Sequence, residues 1–304
     1  MHYISIFEQN AFIKLIENFI TKKGFQLLVC GNLLKIDSTG LYYDKLKTET
    51  LSIFKLLESF YSQIKPKPHV ILIKDWQGLQ ENWVTKLNYK TWEEDLTMKL
   101  AIDPKWNSFE DYVKSLRHRY AQRVRKSRKL LGKITRRELS LLDIEKYSNE
   151  IEMLYNNVVF KQSIRMVIVS KNYFIEMKKS LKENFKVHLY ILNEKPVGFT
   201  SQIINDSHIE MHFIGLDYLI NQSHWLYFNM LYDSVEDAIN LKKTEVELGR
   251  TAREAKANIG AYPVYFNNYY RVSGYFSSLM VELLNRSFKS KNKKTTSAKT
   301  VIKT

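Results

Sequence analysis

The chain has 304 residues, of which 44% are hydrophobic, a formal net charge of +15 and a single cysteine, Cys30. This length and apolar content exclude a wholly disordered chain and predict one large or two ordinary domains. One cysteine excludes an intrachain disulfide, and its apolar neighbours indicate a buried thiol rather than a nucleophile. We find neither a signal peptide nor an apolar run of about 18 residues. We therefore expect a cytoplasmic protein, with any membrane contact peripheral and at the inner face.

The positive charge is concentrated in two segments. Residues 112–137 contain eleven Lys or Arg and residues 286–304 contain seven, and neither segment contains an Asp or Glu. The rest of the chain is therefore close to neutral. This distribution predicts a localised anionic partner rather than a uniformly cationic surface.

The first hundred residues alternate between helical and strand-like patterns. Apolar residues at helical spacing predict amphipathic helices, and short apolar runs bounded by turn residues predict strands. The predicted helices cover residues 10–22 and 49–64, and the predicted strands cover Phe25–Val29, Val70–Lys74 and Leu96–Ile102.

A basic helix is predicted over residues 108–131. Apolar residues recur there every three or four positions, at Val113, Leu116, Tyr120, Val124 and Leu131. Asn107 or Ser108, followed by acidic residues, is a start signal for such a helix. Its other faces carry basic residues that can follow phosphates on a coenzyme, a carrier protein, a tRNA or anionic lipid headgroups. The alternative is a solvated helix that connects two domains.

The second half of the chain contains further helices and a run of strands. Helical spacing covers residues 143–159 and 171–184, and strand patterns cover Val187–Asn193, Val197–Asn205 and His208–Leu216. Turn residues between these strands predict an antiparallel meander. The remaining predicted elements are a helix over Trp225–Leu241 with Ser223 as its N-cap, a strand over Thr244–Leu248, a helix over 251–259 and a strand over Tyr265–Arg271. The basic tail, residues 286–304, has no apolar periodicity and is predicted to be disordered.

The helix predicted over 251–259 begins with a capping-box pattern, in which Thr251 is followed three residues later by Glu254. Arg250, Arg253 and Lys256 surround this predicted helix start. Free backbone N–H groups and guanidinium groups together suit an anionic or carboxylate-bearing substrate. The alternative is a surface turn with a stable cap.

The order of these elements resembles the GNAT acyltransferase fold, and YILNEKPVGFTSQI is similar to its strand, turn and strand beside the acyl donor. The segments SFEDYVKSLRHRYAQRVRKSRK and ELGRTAREAKANIGAYPVYF are similar to the two-domain, Fem-like branch. The resemblance implies an α/β (α+β) GNAT-like acyl-CoA N-acyltransferase fold in two tandem copies. The first, degenerate copy would cover residues 1–103, the catalytic copy residues 104–285 and the tail residues 286–304.

The resemblance implies transfer of an acyl group from an acyl thioester to an amine. Standard GNAT enzymes clamp the coenzyme A pyrophosphate with a glycine-rich loop, whereas the corresponding LDYLINQSHW contains no glycine. Acyl-CoA and acyl carrier protein are therefore both retained as donors, and aminoacyl-tRNA as the Fem-like alternative. The residues expected to bind donor phosphates are Ser223, Arg123, Arg125 and Arg128. No tightly bound cofactor is expected.

Candidate catalytic residues lie on two predicted strands. Glu210 and His212 share one side of their strand because side chains alternate, and Glu210 matches the position where many GNAT enzymes keep a base. Glu245 and Glu247 of the later strand also project together, and Glu247 is a further catalytic candidate. His208 and His212 would lie about 13 Å apart on a strand, which excludes a shared metal ion.

Three functions remain open on the sequence. The first is an N-acyltransferase that uses an acyl thioester, and the second is a Fem-like aminoacyl-tRNA-dependent transferase. The third is a non-catalytic protein that binds nucleic acid or an anionic membrane through its basic helix and tail. The missing glycines favour the third function, and the cations at positions 250, 253 and 256 disfavour it.

Overall fold

The structure is a computed structural model that describes residues 26–32, 35–44, 46–76, 82–92, 95–162, 168–273 and 301–303. The predicted helix over 10–22 and most of the basic tail lie outside these residues. The described chain divides into two compact units. One runs to Leu96 and includes residues 265–273, and the other comprises Thr97–Val264 and residues 301–303. The predicted division into two copies of one fold at residue 103 stays a prediction.

The first unit is a small α/β arrangement around a cluster of aromatic residues. Its elements are β1 (Leu27–Cys30), α1 (Thr50–Gln63), β2 (Val70–Trp76), α2 (Trp83–Lys86) and β3 (Lys90–Thr91), together with residues 265–272 of the last strand of the chain. β1 and β2 are parallel, and the last strand pairs antiparallel with β2 and β3. Phe54 of α1 stacks on Trp83 with ring centroids 3.7 Å apart, which packs α1 and α2 together. The predicted helix over 49–64 and strand over Val70–Lys74 are confirmed.

The second unit contains the remaining elements. It begins with β4 (Asp95–Ala101), α3 (Phe109–Ser115), α4 (His118–Leu131), β5 (Thr135–Glu138), α5 (Leu141–Lys146), α6 (Ser148–Val159) and α7 (Lys171–Leu181), followed by a 3-10 turn over Lys182–Asn184. It continues with β6 (Phe185–Leu192), β7 (Lys195–Ile204), β8 (His208–Leu216), α8 (Tyr218–His224), α9 (Leu226–Asn240), β9 (Glu245–Glu247) and α10 (Arg253–Ala257), and it ends with the first three residues of β10 (Tyr262–Val272), whose other residues belong to the first unit. None of the helices in the described ranges is long and apolar enough to cross a membrane.

The sheet of this unit has the strand order β5-β6-β7-β8-β9-β4. The antiparallel meander predicted from the sequence is confirmed as β6, β7 and β8. β9 runs parallel to β8 and pairs with it only over His208–Glu210. Phe185, Val187 and Leu189 of β6 alternate toward one face, where they pack with residues of α6 and α7 in an apolar core.

The basic helix is broken, so the prediction of one continuous helix over 108–131 is wrong. Ser108 begins α3 with the predicted start signal, because its side chain and that of Asp111 form a reciprocal capping box. Leu116 then adopts an extended conformation, and the Arg117 N–H donates to the Val301 carbonyl at 2.9 Å. Pairing with a distant segment therefore interrupts the helical hydrogen bonds. The helix predicted over 143–159 is similarly divided into α5 and α6 around Tyr147.

Two predicted caps are also wrong. Ser223 lies inside α8, where its hydroxyl donates back to the carbonyls of Leu219 and Ile220 at 3.2 Å. The residue before α9 is Trp225, in a left-handed conformation with φ +49° and no capping side chain. Ala252, with φ +50°, likewise precedes α10 in the place expected for Thr251. These left-handed residues redirect the chain immediately before each helix, and a capping pattern in the sequence does not predict such a change of direction.

The approach of β8 to α6 depends on Gly215. A Cβ atom built at this position would lie 2.5 Å from the Leu154 backbone carbon and 2.6 Å from the Tyr155 backbone nitrogen. Backbone atoms cannot move aside as a flexible side chain can. At Gly198 the nearest atoms to an added Cβ are the side-chain ends of Met230, at 2.5 Å, and Leu226, at 2.9 Å.

We expect Gly215→Ala to lower the free energy of unfolding by about 3 kcal/mol, at the upper end of overpacking costs. Gly198→Ala serves as the matched control, with a cost of about 1 kcal/mol, because side-chain ends can repack. Urea denaturation of the two variants beside the parent protein measures both values. Equal losses in the two variants would show that the backbone of α6 does not limit this position.

Candidate active site

A chain of three hydrogen-bonded side chains connects α7 with β8. The Tyr173 hydroxyl lies 2.7 Å from Nε2 of His212, and Nδ1 of His212 lies 3.2 Å from Oε1 of Glu210. The imidazole and phenol rings are nearly parallel, with centroids 5.8 Å apart. Glu210 is 5% exposed, so the carboxylate end of the chain is buried. We call Tyr173, His212 and Glu210 the Tyr–His–Glu chain.

A β-bulge positions His212. Gln202 of β7 pairs with Met211, and Thr200 pairs with Ile214, so His212 and Phe213 together oppose Ser201. The Ser201 hydroxyl accepts a hydrogen bond from the Phe213 N–H at 3.0 Å, which fixes the extra residue. Bulges of this kind redirect a side chain from the regular alternation of a strand and are common beside active sites. Here the bulge lies at the imidazole that joins Tyr173 to Glu210.

The geometry of the Tyr–His–Glu chain defines the tautomer of His212. A carboxylate accepts hydrogen bonds, so Nδ1 of His212 carries the proton toward Glu210 and Nε2 presents its lone pair to Tyr173. Burial raises the pKa of the Tyr173 phenol, and the negative charge of Glu210 raises it further. The phenol is therefore protonated at neutral pH and donates to Nε2. This arrangement can move a proton between the phenol and the imidazole, with the carboxylate stabilising the imidazolium.

A second buried polar group lies on the neighbouring strand. Glu210 and Glu247 are register partners in the parallel pairing of β8 with β9, and Glu247 is 4% exposed. The Thr97 hydroxyl donates to Oε1 of Glu247 at 3.1 Å, and Nζ of Lys256 donates to the Gly249 carbonyl at 3.0 Å. Side chains of register partners project to the same face of a sheet. The two carboxylates therefore belong to one polar cluster, which we call the β8–β9 cluster.

Lys256 is the buried cation of this cluster, at 4% exposed. Burial lowers the pKa of Lys256 to about 7, the negative charge of Glu247 opposes this change, and the positive charge of Arg253 adds to it. Its charge therefore changes near neutral pH. A titratable group of this kind inside a cluster of buried carboxylates is typical of a functional site.

The three cations predicted to form one substrate pocket differ in their exposure. Lys256 is buried among the polar groups of the sheet, whereas Arg250 is exposed. Nε of Arg253 donates to the Arg250 backbone carbonyl at 3.2 Å. α10 is a single turn without the predicted Thr251 cap, and the substrate pocket formed by the three cations stays a prediction.

The residues predicted to bind donor phosphates lie in different surroundings, and their role stays a prediction. Arg128 forms an ion pair with Asp233 and a second one with Glu236 at 3.0 Å, both on α9, so its guanidinium is occupied. Arg123 and Arg125 remain on the outer part of α4. Ser223 is exposed on α8 but does not begin a helix.

Sequence reasoning missed Tyr173 and Thr97. Tyr173 lies at the third position of an amphipathic helix, where a tyrosine is indistinguishable from a core residue. Its relation to Glu210 depends on how α7 packs across the sheet, and no local pattern encodes that packing. Within the described ranges, no group of three or more His, Cys, Asp or Glu side chains is arranged to hold a metal ion.

No protein-family model matches this sequence, and no curated protein matches it either. Among solved structures it is similar to FemX, with a TM-score of 0.54 and 13% identity over 78% of this chain and 80% of that chain. It is also similar to a tandem GNAT protein from the clavulanic acid biosynthesis pathway. That match has a TM-score of 0.49 and 11% identity over 79% of this chain and 74% of the other. The match to FemX shows that the two proteins share a fold, and the Fem-like, GNAT-type fold expected from the sequence is confirmed.

The depressed pKa of Lys256 predicts a specific dependence of stability on pH. Below about pH 7 the ammonium is buried in its charged form, whereas between pH 7 and the ordinary lysine pKa of 10.5 the unfolded chain binds more protons. The contribution of Lys256 to the free energy of unfolding therefore rises as the pH increases from about 7 to 10.5. Relative to Lys256→Met, the parent protein should gain about 3 kcal/mol of unfolding free energy between about pH 7 and about pH 9.5.

Chemical denaturation at several pH values measures this difference. The exposed Lys114→Met is the matched control, and its curve should run parallel to that of the parent because its ammonium is solvated. A Lys256→Met curve that also runs parallel to the parent would show that the lysine titrates as in water.

Proposed function

We propose that this protein transfers an acyl group from a thioester or ester donor to an amine, with the Tyr–His–Glu chain moving the proton. The observation that carries the proposal is that chain, with its imidazole at the β8 bulge and its carboxylate buried. The GNAT-like fold supports it, because the fold is found in acyl transferases. The fold alone would not define an activity, since one fold supports many functions.

In the proposed reaction the amine nitrogen forms a bond to the acyl carbon, and the bond from that carbon to sulfur or oxygen breaks. Tyr173 takes a proton from the attacking amine as its own proton passes to Nε2 of His212. Glu210 stabilises the resulting imidazolium through Nδ1–H. The same proton then returns through Tyr173 to the departing thiolate or alkoxide, so the chain ends in its starting state.

Two further features of the second unit suit this reaction. Among the described residues, β8 pairs with β9 only as far as Glu210, so the β8 backbone beyond Glu210 forms no ladder hydrogen bonds to β9. Backbone N–H groups in such a stretch can stabilise the oxyanion of the tetrahedral intermediate. Lys256 supplies a positive charge that is available near neutral pH in the same cluster.

The hydrogen bonds at the start of α8 favour one class of acyl donor over another. Oδ1 of Asp217 accepts hydrogen bonds from the N–H groups of Leu219, at 2.8 Å, and Ile220, at 3.3 Å. These N–H groups are the ones a pyrophosphate would need at this position, and a carboxylate there repels it. We therefore favour a donor held over a larger surface, namely an acyl carrier protein or an aminoacyl-tRNA, over acyl-CoA held at this turn.

Tyr173→Phe removes the first proton acceptor of the Tyr–His–Glu chain, and Glu210→Gln removes the negative charge at the other end of that chain. We expect turnover to fall about 10²-fold in the first variant and about 10²- to 10⁴-fold in the second, with little change in melting temperature for Tyr173→Phe. Turnover is measured with a panel of acyl-CoA, acyl carrier protein and aminoacyl-tRNA donors against primary amines.

Tyr155→Phe is the matched control, because Tyr155 lies on α6, packs against the same Phe174 and Phe213 rings and takes no part in the chain. It should retain activity within a few-fold of the parent. Near-parental turnover in both Tyr173→Phe and Glu210→Gln would refute the proposed proton path.

A further inference from the structure

The outer face of α4 carries a dense positive charge. Residues 117–133 contain eight Lys or Arg and no Asp or Glu. The exposed basic residues of α4 are Arg119, Arg125, Lys126 and Lys129, and Arg123 is partly exposed. Arg125 and Lys129 are four residues apart on the helix, a spacing at which like charges repel.

Little negative charge compensates this face. Arg128 is paired with acids of α9, but it points inward from α4. Arg125 lies 3.8 Å from Glu110, and both side chains are more than half exposed, so solvent screens that pair. Arg119, Arg123, Lys126 and Lys129 form no salt bridge with any residue that the structure describes. Their repulsion favours an anionic partner.

Aromatic side chains lie beside these cations, and the neighbouring helix α8 carries an exposed leucine. α8 packs against α4, and Nζ of Lys126 lies 5.0 Å from the ring centroid of Trp225, at the junction of α8 and α9. Arg123 lies 5.9 Å from the Phe228 ring centroid. Leu219 of α8 is 78% exposed. We call the outer face of α4 together with Leu219 and Trp225 the basic-aromatic surface.

We propose that the basic-aromatic surface docks on the anionic headgroups of a lipid membrane. A bilayer surface offers negative phosphates to the α4 cations and an apolar layer to Leu219, and tryptophan is favoured at the boundary between these layers. A nucleic acid would neutralise the cations but would leave Leu219 in water. None of these residues belongs to the Tyr–His–Glu chain, and the substitutions that test the proposal leave Arg123 and Arg125, the expected donor-phosphate residues, in place.

The test is cosedimentation of the full chain with vesicles of phosphatidylcholine, either alone or containing about 30% phosphatidylglycerol, at several salt concentrations. One variant combines Arg119→Gln, Lys126→Gln and Lys129→Gln, and a second is Leu219→Ser. The matched control combines Lys146→Gln, Lys171→Gln and Lys179→Gln, which removes the same charge from exposed positions on α5 and α7. Melting temperatures are measured for all variants, whose substituted side chains are exposed.

The parent and the matched control should bind the anionic vesicles at least about tenfold more strongly than the neutral ones, and salt above about 0.1 M should weaken this binding. The α4 variant should lose about tenfold in binding with a flatter salt dependence. Leu219→Ser should weaken vesicle binding and leave binding of bulk tRNA unchanged.

Equal binding of the parent to both vesicle types would overturn the proposal, as would an equal loss in the matched control. If the α4 variant lost binding of tRNA or carrier protein but not of vesicles, the surface would serve that partner instead. Because no readout depends on turnover, these outcomes are separate from failure of the proposed acyl transfer.

Discussion

The short parallel pairing of β8 with β9 is the constraint on which the candidate site depends. Only three residues of each strand pair, and the last pair brings two buried glutamates, Glu210 and Glu247, into register. Two carboxylates in such positions repel each other unless protons or cations compensate them. His212 contacts one of them, and the positive charge of Lys256 is favoured by the other. The composition of the cluster therefore follows from the strand register.

The opposite face of the sheet is held by a different set of charges, most of them partly buried. Arg136 pairs with Asp237, Arg128 pairs with Asp233, and the Tyr190 hydroxyl donates to Asp233 at 2.7 Å. Removing one partner of a buried pair leaves an uncompensated charge and costs more than the pair contributes. This network holds α4 and α9 against β6, and it explains why some basic residues of α4 serve the fold whereas others remain on the surface.

The parts of the fold that depend on local pattern could be predicted from the sequence. The alternation of β6, β7 and β8 with polar turns between them predicted the meander, and the same alternation placed Glu210 and His212 on one side of a strand. The break at Leu116 could not be predicted, because it depends on contact with residues 301–303. Thr251 does not cap α10 because Ala252 adopts a left-handed conformation, which is uncommon for alanine and is not indicated by the capping pattern.

The same limit applies to the candidate site. Spacing along β8 identified Glu210 and His212, but it could not show that a tyrosine from α7 completes the chain. Charge counting identified the basic helix, but it could not separate Arg128, which is paired inside, from Lys126, which lies over Trp225. Residue type and local spacing define candidates, and long-range packing decides which of them meet.

The charges of the β8–β9 cluster are coupled, and this affects how its chemistry is measured. Lys256 titrates near pH 7 beside Glu247, whose register partner Glu210 contacts His212. A change in the protonation of Lys256 alters the field at Glu247, so these two groups are coupled. A pH–rate profile of this protein would therefore report an apparent pKa of this coupled pair rather than of Lys256 alone. Assigning a value to one residue requires comparing profiles in which each of the other groups has been replaced in turn.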